Sequence, residues 1–115
     1  MSLADQRRDY RSPGLSEEEA GADPLALWWR WYADAEVMYE PNAMVLSTTG
    51  LDGGPRVRTV LLKGLTEQGF VFFTNYASDK AAEIARDPRC GLLFGWFDLH
   101  RQVRISGRAE KVSRE

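Results

Sequence analysis

The sequence predicts a mainly β protein with flanking helices, folded as a small barrel or a strongly bent antiparallel sheet. Two observations indicate this class. Short segments in which apolar and polar residues alternate recur between residues 44 and 112, which is the period of strands with one buried face. One helical segment interrupts these strands, whereas a parallel doubly wound fold would need a helix between successive strands.

The composition is that of a single domain. With 115 residues, 43% apolar and 28% charged, the chain is long enough for one hydrophobic core. Its formal net charge of −2 produces no general attraction to nucleic acid or to an anionic membrane. Cys90 is the only cysteine, so an intrachain disulfide and a cysteine-rich zinc site are excluded. No apolar run approaches the roughly 20 residues that span a bilayer, and no signal region is apparent, so a cytoplasmic location is predicted.

The first part of the chain divides into an arm and a helix. Residues 1–22 are polar, with glycines, a proline and an acidic run, which predicts a mobile N-terminal arm before a folded domain over residues 23–115. Asp23 is a suitable N-cap and Pro24 suits the first helical position, so a helix should begin here and run until Pro41 stops it. The residues expected on its apolar face are Leu25, Trp28, Trp31, Tyr32 and Ala35.

Five strands and one short helix are expected after Pro41. In chain order the expected elements are the strands Met44–Thr48 and Arg56–Lys63 as a hairpin, the strand Gly69–Asn75, a helix capped by Ser78 and ending at Arg86, and the strands Cys90–Phe97 and Gln102–Val112. Turn residues at Leu51–Gly54 join the first two strands, and a tight connection at Asp98–His100 joins the last two. Ala82 and Ala85 are expected to face inward from the short helix.

A phosphate site, if present, must be made by side chains, because the two common glycine-rich phosphate loops are absent. Arg56, Arg58 and Lys63 lie in the segment Gly53–Thr66, which contains no acidic residue and could receive an anion. Strict alternation places Arg58 and Lys63 on opposite faces of a strand. A common site therefore requires a bulge, or contacts from both faces at a subunit boundary. The plainer interpretation is that these are solvated charges on an exposed strand.

Several motifs occur in the order and spacing of the pyridoxamine 5′-phosphate oxidase family, so the sequence resembles that family. The motifs are Glu40–Met44, Arg58–Lys63, Gly69–Asn75, Lys80 and Arg101–Gly107, with Arg7–Tyr10 and Asp23–Pro24 extending the resemblance towards the N-terminus. The resemblance implies an FMN-binding split β-barrel, incomplete in this chain, that forms a homodimer with flavin mononucleotide at the subunit interface. It also implies that the family continues for about as long again after Glu115.

The reaction implied by the resemblance is the oxidation of pyridoxamine or pyridoxine 5′-phosphate to pyridoxal 5′-phosphate. Molecular oxygen is the acceptor and hydrogen peroxide is formed. Because the matching part is the front of the family, the activity of this chain is expected to be impaired. The alternative is a non-catalytic FMN-binding or dimerisation module. A third possibility, a small barrel that binds single-stranded nucleic acid through Arg56, Arg58 and the phenylalanines, is disfavoured by the net charge of −2.

The resemblance also assigns site residues. The implied cofactor-binding residues are Arg58, Thr59, Val60, Leu61, Leu62, Lys63, Phe73, Thr74, Lys80 and Gln102. Among them Arg58 and Lys80 match residues around the flavin phosphate, and Lys63 also matches a residue on the substrate phosphate. The remaining implied substrate-binding residues are Arg7, Arg8, Asp9 and Tyr10.

Other observations qualify this assignment. No catalytic residue is assigned, and no metal site is expected. From the residues alone, Phe73 suits a core or an interface and Gln102 suits a polar surface. Asp79 departs from the family, which usually has an arginine there, and an acid near a phosphate would repel it.

Overall fold

A computed structural model of the protein describes Leu3, residues 14–74 and residues 77–112. In chain order its elements are α1 (Glu17–Ala20), α2 (Pro24–Ala35), β1 (Ala43–Thr49), β2 (Pro55–Thr66), β3 (Gly69–Phe72), α3 (Asp79–Arg86), β4 (Arg89–Trp96), a 3-10 turn (Phe97–Leu99) and β5 (Arg101–Arg108). The strands form one antiparallel sheet in the order β3-β2-β1-β4-β5, curled into half a barrel. The predicted mainly β class with a strongly bent sheet is confirmed.

Helix α2 begins where it was predicted to begin but ends earlier. The Asp23 side chain accepts a hydrogen bond from the Leu25 N–H, and Pro24 occupies the first turn. The helix ends at Ala35, so the prediction that it continues towards Pro41 was wrong. The reason is a turn, in which the Met38 N–H donates to the Ala35 carbonyl and the following backbone leaves the helical conformation.

The short helix α1 lies inside the segment that was predicted as an arm. The Ser16 side chain caps it by accepting from the Glu19 N–H. The Arg30 guanidinium of α2 donates to the carbonyls of Glu19 and Ala20 at 3.0 and 3.3 Å, which ties the two helices together. Regular structure therefore begins before Asp23, contrary to the prediction.

The strands agree with the predicted ones except at some ends. β1 and β2 extend beyond their predicted bounds and pair from Ala43↔Leu61 to Thr49↔Pro55. β3 ends at Phe72, where its pairing with β2 also ends, and not at the predicted Asn75, which lies outside the described residues. β5 ends at Arg108, not Val112, because β4 offers no partner before Arg89.

The core lies between the concave face of the sheet and α2. Its buried apolar residues are Trp28, Ala35, Met44, Leu46, Leu62, Leu92, Phe94 and Trp96. The Trp28 ring contacts the rings of Tyr32, Phe70 and Phe94 at centroid distances of 5.0–5.4 Å. Each buried aromatic or aliphatic side chain contributes about 1.5–3 kcal/mol. The sheet residues named here define the inner face, and their sequence neighbours on each strand define the outer face.

Three of the predicted inward positions were wrong. Leu25 on α2 is 45% exposed, because the helix packs on the sheet through the face that carries Trp28 and Ala35. On α3, Ala82 and Ala85 are exposed, and Glu83 and Ile84 face the sheet instead. Glu83 is only 4% exposed, and the charge partner that permits this burial belongs to the site described below. None of the helices in the described ranges has the length and apolar content to cross a membrane.

Candidate functional site

A closed network of hydrogen bonds holds the Arg58 guanidinium on the inner face of β2. Its Nη1 donates to the Thr48 hydroxyl at 2.7 Å and to the Leu46 carbonyl at 3.4 Å, and its Nη2 donates to Glu83 Oε1 at 2.6 Å. Thr48 Oγ1 lies 2.6 Å from the same Glu83 oxygen. Since a guanidinium only donates and a carboxylate only accepts, the hydroxyl accepts from Arg58 and donates to Glu83.

The network joins three elements and is largely removed from water. Thr48 on β1 and Glu83 on α3 are each 4% exposed, and the Arg58 side chain on β2 is 25% exposed. The hydrogen bond from the Thr48 hydroxyl, followed by the Arg58 contact, lowers the pKa of Glu83 below its ordinary value of 4.5. Glu83 is therefore an anion at neutral pH, and Arg58 is its counter-ion.

Arg58 still has capacity to bind a ligand. A guanidinium carries five N–H groups. Its partners Thr48, Glu83 and the Leu46 carbonyl use three of them, and the described residues supply no partner for the others. The exposed quarter of the side chain can thus receive an anion, while the rest of it is fixed by the protein.

Two residues predicted to bind the flavin, Thr74 and Lys80, lie just before α3 and in its first turn. The Ser78 hydroxyl caps the helix by accepting from the Ala81 N–H, and the Thr74 hydroxyl lies 3.2 Å from Ser78 Oγ. Lys80 is half-buried in the first turn, three residues before Glu83 and hence on the same side of the helix. Glu83 therefore links the turn that carries Lys80 to Arg58.

Lys63 stands at an irregularity in β2. The pairing of β2 with β3 shifts between Leu62↔Phe72 and Gly64↔Val71, so Lys63 is the extra residue of a bulge. The sequence required a bulge or a two-sided site, and a bulge is present at this position. The Lys63 side chain is exposed, and its Nζ lies 5.6 Å from the centroid of the Phe73 ring, which is 74% exposed.

The segment predicted to line the flavin is divided between the two faces of the sheet. Val60 and Leu62 face inward with Arg58 and pack in or against the core. Thr59 and Leu61 lie on the outer face, where both are exposed. One chain therefore does not bring all residues of this segment to a single surface.

Gln102 lies far from Arg58 within the chain. It is exposed on the outer face of β5, opposite Gly95 of β4. Three strand spacings, about 14 Å, separate β5 from β2. Its neighbour Arg101 is held on the inner face by Asp34 at 2.8 Å and by the Trp31 ring at 4.8 Å.

The segment Arg7, Arg8, Asp9 and Tyr10, predicted to close over a substrate, lies outside the described residues. Sequence reasoning missed two residues that the structure places in the site, Thr48 and Glu83. One signal for Glu83 was available. Ile84 is the only large apolar residue of α3, so the helix face that Ile84 shares with Lys80 is the one expected to pack on the sheet, and Glu83 lies beside that face.

The comparisons with known proteins identify the family. A family profile described as Pyridoxamine 5'-phosphate oxidase matches residues 33–115, which is most of the chain. The chain belongs to the pyridoxamine 5′-phosphate oxidase family. The resemblance drawn from the motifs is therefore confirmed. Because the curated relatives are named as oxidases, the family is one of oxidoreductases.

Curated relatives of this oxidase family match almost the whole chain. A pyridoxine/pyridoxamine 5'-phosphate oxidase from Cupriavidus pinatubonensis is 51% identical over 113 residues, which cover 96% of this chain and 53% of the relative. One from Rubrobacter xylanophilus is 51% identical over 115 residues, covering 98% of this chain and 53% of the relative. The chain thus spans about half the length of the curated relatives it matches.

Solved structures support the fold. PhzG from Burkholderia lata, solved in complex with tetrahydrophenazine-1-carboxylic acid, superposes with a TM-score of 0.77 at 28% identity, covering 84% of this chain and 48% of PhzG. A pyridoxamine 5'-phosphate oxidase-related, FMN binding protein from Nostoc punctiforme gives a TM-score of 0.68 at 21% identity, covering 76% of this chain and 47% of that protein. The half-barrel described above is therefore the split-barrel fold predicted from the motifs.

The departure from the family pattern at Asp79 lies at the surface. Asp79 is exposed in the first turn of α3, one residue before Lys80. An acidic side chain is favourable at a helix N-terminus because it opposes the positive end of the helix dipole. The same charge is unfavourable to an anion approaching Lys80.

Proposed function

We propose that this member of the pyridoxamine 5′-phosphate oxidase family binds flavin mononucleotide and takes part in oxidising pyridoxamine or pyridoxine 5′-phosphate to pyridoxal 5′-phosphate. The single observation that carries the proposal is the half-buried Arg58. Its guanidinium is fixed by Thr48 and Glu83 but keeps N–H groups that no described residue occupies. Family membership and the likeness to an FMN binding protein support it.

The residues present fit the phosphate of the flavin. A phosphate monoester is a dianion that is best held by fixed cations and N–H or O–H donors. Arg58 supplies fixed N–H groups, Lys80 supplies a second cation on α3, and the hydroxyls of Thr74 and Ser78 lie beside the start of that helix. In this proposal these four residues hold the phosphate.

When bound, flavin mononucleotide would supply the redox chemistry, a two-electron transfer from the substrate to molecular oxygen that yields hydrogen peroxide. The task of this chain is to bind and orient. Lys63, exposed beside Phe73, is proposed to bind the phosphate of the substrate. Gln102 is proposed to donate to and accept from the edge of the flavin ring. The segment Arg7–Tyr10 is proposed to cover the substrate.

A homodimer reconciles the positions of these residues. Arg58 faces inward on β2, whereas Gln102 faces outward on β5, about 14 Å away across the sheet. A flavin that contacts both kinds of residue fits best at a boundary where each chain supplies some of them. The outer face also exposes the apolar side chains of Val57 and Leu61, at 69% and 37%, which suits contact with a second copy.

The test compares Arg58→Ala with Arg56→Ala. Arg56 lies two residues away on the same strand, but its side chain is 47% exposed and is paired with the exposed Asp52. Loss of a charge-assisted phosphate contact should weaken flavin mononucleotide binding about ten- to a hundredfold, and loss of Arg56 should change it about twofold at most. Quenching of flavin fluorescence during titration measures both dissociation constants. Equal constants would refute the proposed site.

A turnover assay separates the enzyme from a non-catalytic flavin-binding module. The chain is given flavin mononucleotide and pyridoxamine 5′-phosphate in air, and pyridoxal 5′-phosphate and peroxide are measured together. Equal amounts of the two products support the oxidase. Tight flavin binding without either product supports the non-catalytic module, for which the acidic Asp79 beside Lys80 is the favouring observation.

A further inference from the structure

Glu83 is a buried acid that the proposed function does not use. It is 4% exposed, and its Oε1 accepts from both the Thr48 hydroxyl and Arg58 Nη2 at 2.6 Å. If Arg58 binds a phosphate, a carboxylate this close to the guanidinium reduces the positive potential that the phosphate experiences. Charge alone would make this acid unfavourable, so its position requires another explanation.

Geometry offers that explanation. Without Glu83, only the terminal nitrogen Nη1 of Arg58 would be held, by Thr48 and the Leu46 carbonyl, and the long side chain would keep more of its rotational freedom. With Glu83, hydrogen bonds from two different elements fix both terminal nitrogens of the guanidinium. The remaining N–H groups are then held in one orientation before any ligand arrives, and a preorganised donor binds more tightly than a mobile one.

The same acid also fixes the helix that carries Lys80. Glu83 is on the second turn of α3, and its two partners lie on β1 and β2. Lys80 is three residues earlier, on the same side of that helix. The distance between the two cations is therefore set through Glu83.

We propose that Glu83 is a positioning residue for the flavin phosphate, acting through Arg58 and the first turn of α3. This inference rests on the proposed function, because it assumes that Arg58 binds the phosphate. It predicts a change in flavin mononucleotide affinity opposite in direction to the change expected from charge alone. Replacing Glu83 by glutamine removes a negative charge near a dianion, yet it should weaken binding.

The experiment measures the affinities of Glu83→Gln for flavin mononucleotide and for riboflavin, which lacks the phosphate. Affinity for flavin mononucleotide should fall about tenfold, the size of one misplaced charge-assisted hydrogen bond, while affinity for riboflavin changes by less than about twofold. Glu67→Gln, at an exposed position in the turn between β2 and β3, is the matched control and should change neither. Circular dichroism checks that each variant is folded.

A second variant and a double variant make the test complete. Thr48→Val removes the hydroxyl from the network and should give the same phosphate-specific loss, which serves if Glu83→Gln does not fold. In an Arg58→Ala background, Glu83→Gln should cause a smaller further loss, because the part of its effect that Arg58 transmits is absent. A further loss of the same size would overturn the inference.

The other outcomes are also decisive. Tighter flavin mononucleotide binding by Glu83→Gln would show that the acid acts only through its charge, and equal losses for both flavins would show a merely structural role; either result overturns the inference. If the unchanged protein binds riboflavin as tightly as flavin mononucleotide, the proposed phosphate site itself is refuted. If the unchanged protein prefers flavin mononucleotide but Glu83→Gln does not alter that preference, the inference alone fails.

Discussion

Replacing Thr48 by valine should destabilise the protein more than the same change at Thr59. Both are β-strand threonines on adjacent strands, but Thr48 is 4% exposed and Thr59 is exposed on the outer face. Valine keeps the shape of threonine and removes the hydroxyl that accepts from Arg58 and donates to Glu83. Leaving buried polar groups without this partner costs about 1–3 kcal/mol, and the lower part of that range applies because Arg58 is partly exposed to water.

The expected change in melting temperature follows from the length of the chain. For 115 residues the unfolding entropy is about 0.24 kcal/mol/K, so a loss of about 1–2 kcal/mol lowers Tm by about 4–8 °C. Thr59→Val should move Tm by about 2 °C at most. Thermal unfolding followed by circular dichroism measures both values. Equal shifts for the two variants would refute the reasoning.

The effect of Thr48→Val should also depend on pH. The pKa of Glu83 in the folded protein is below its ordinary value of 4.5, so the stability that its charge contributes is fully present above that pH. It is lost as the pH falls through the lower, folded-state pKa. The difference in Tm between the unchanged protein and Thr48→Val should therefore be constant from roughly pH 6 to 8 and should shrink below about pH 4. A difference that persists undiminished in acid would show that Glu83 does not hold the network.

Two further predictions concern the surface and the core. Asp79→Arg should tighten flavin mononucleotide binding severalfold at low salt and less at high salt, and it should lower stability by up to about 1 kcal/mol through the helix dipole. Asp98→Arg, at another exposed acid, is the control in the same titration. Equal effects of the two variants on flavin affinity would contradict the prediction. Trp96→Phe should lower the free energy of unfolding by about 1–3 kcal/mol, because it removes the 2.9 Å hydrogen bond from Nε1 to the Pro41 carbonyl. Trp29→Phe, at a half-exposed ring, should change it by less than about 0.5 kcal/mol in the same urea titration, and equal losses would show that the hydrogen bond and burial of Trp96 do not matter.

Local signals in the sequence predicted most of the fold. The cap at Asp23 and Pro24 gave the start of α2, and alternation gave all five strands, because both signals depend on neighbours a few residues apart. The end of α2 at Ala35 was not predicted, since Glu36–Met38 contain no breaker and the turn there is set by packing. α1 was missed because its cap, Ser16, lies in a polar segment without an apolar face.

The site was predicted less completely, for a physical reason. Arg58 was predicted to bind an anion from its own strand, but its partner Glu83 is 25 residues away and on another kind of element. No acidic residue is close to Arg58 in the sequence, and Glu83 comes into contact with it only when α3 packs on the sheet. Ala82 and Ala85 were predicted to face inward, and Glu83 was not. A buried glutamate is unfavourable unless it is paired, and only the tertiary structure shows that this one is paired.

The central position of β1 has a consequence for the order in which the chain folds. β1 pairs with β2 across a short turn, and β4 pairs with β5 across another, so both hairpins close small loops. The contact that joins them, such as Val45↔Leu93, closes a loop of nearly half the chain. Docking of the two hairpins is therefore expected to limit the folding rate, since non-local pairing is slow. Substitutions within either hairpin or at the β1–β4 boundary should therefore slow refolding, whereas those in contacts that form only after docking should mainly speed unfolding.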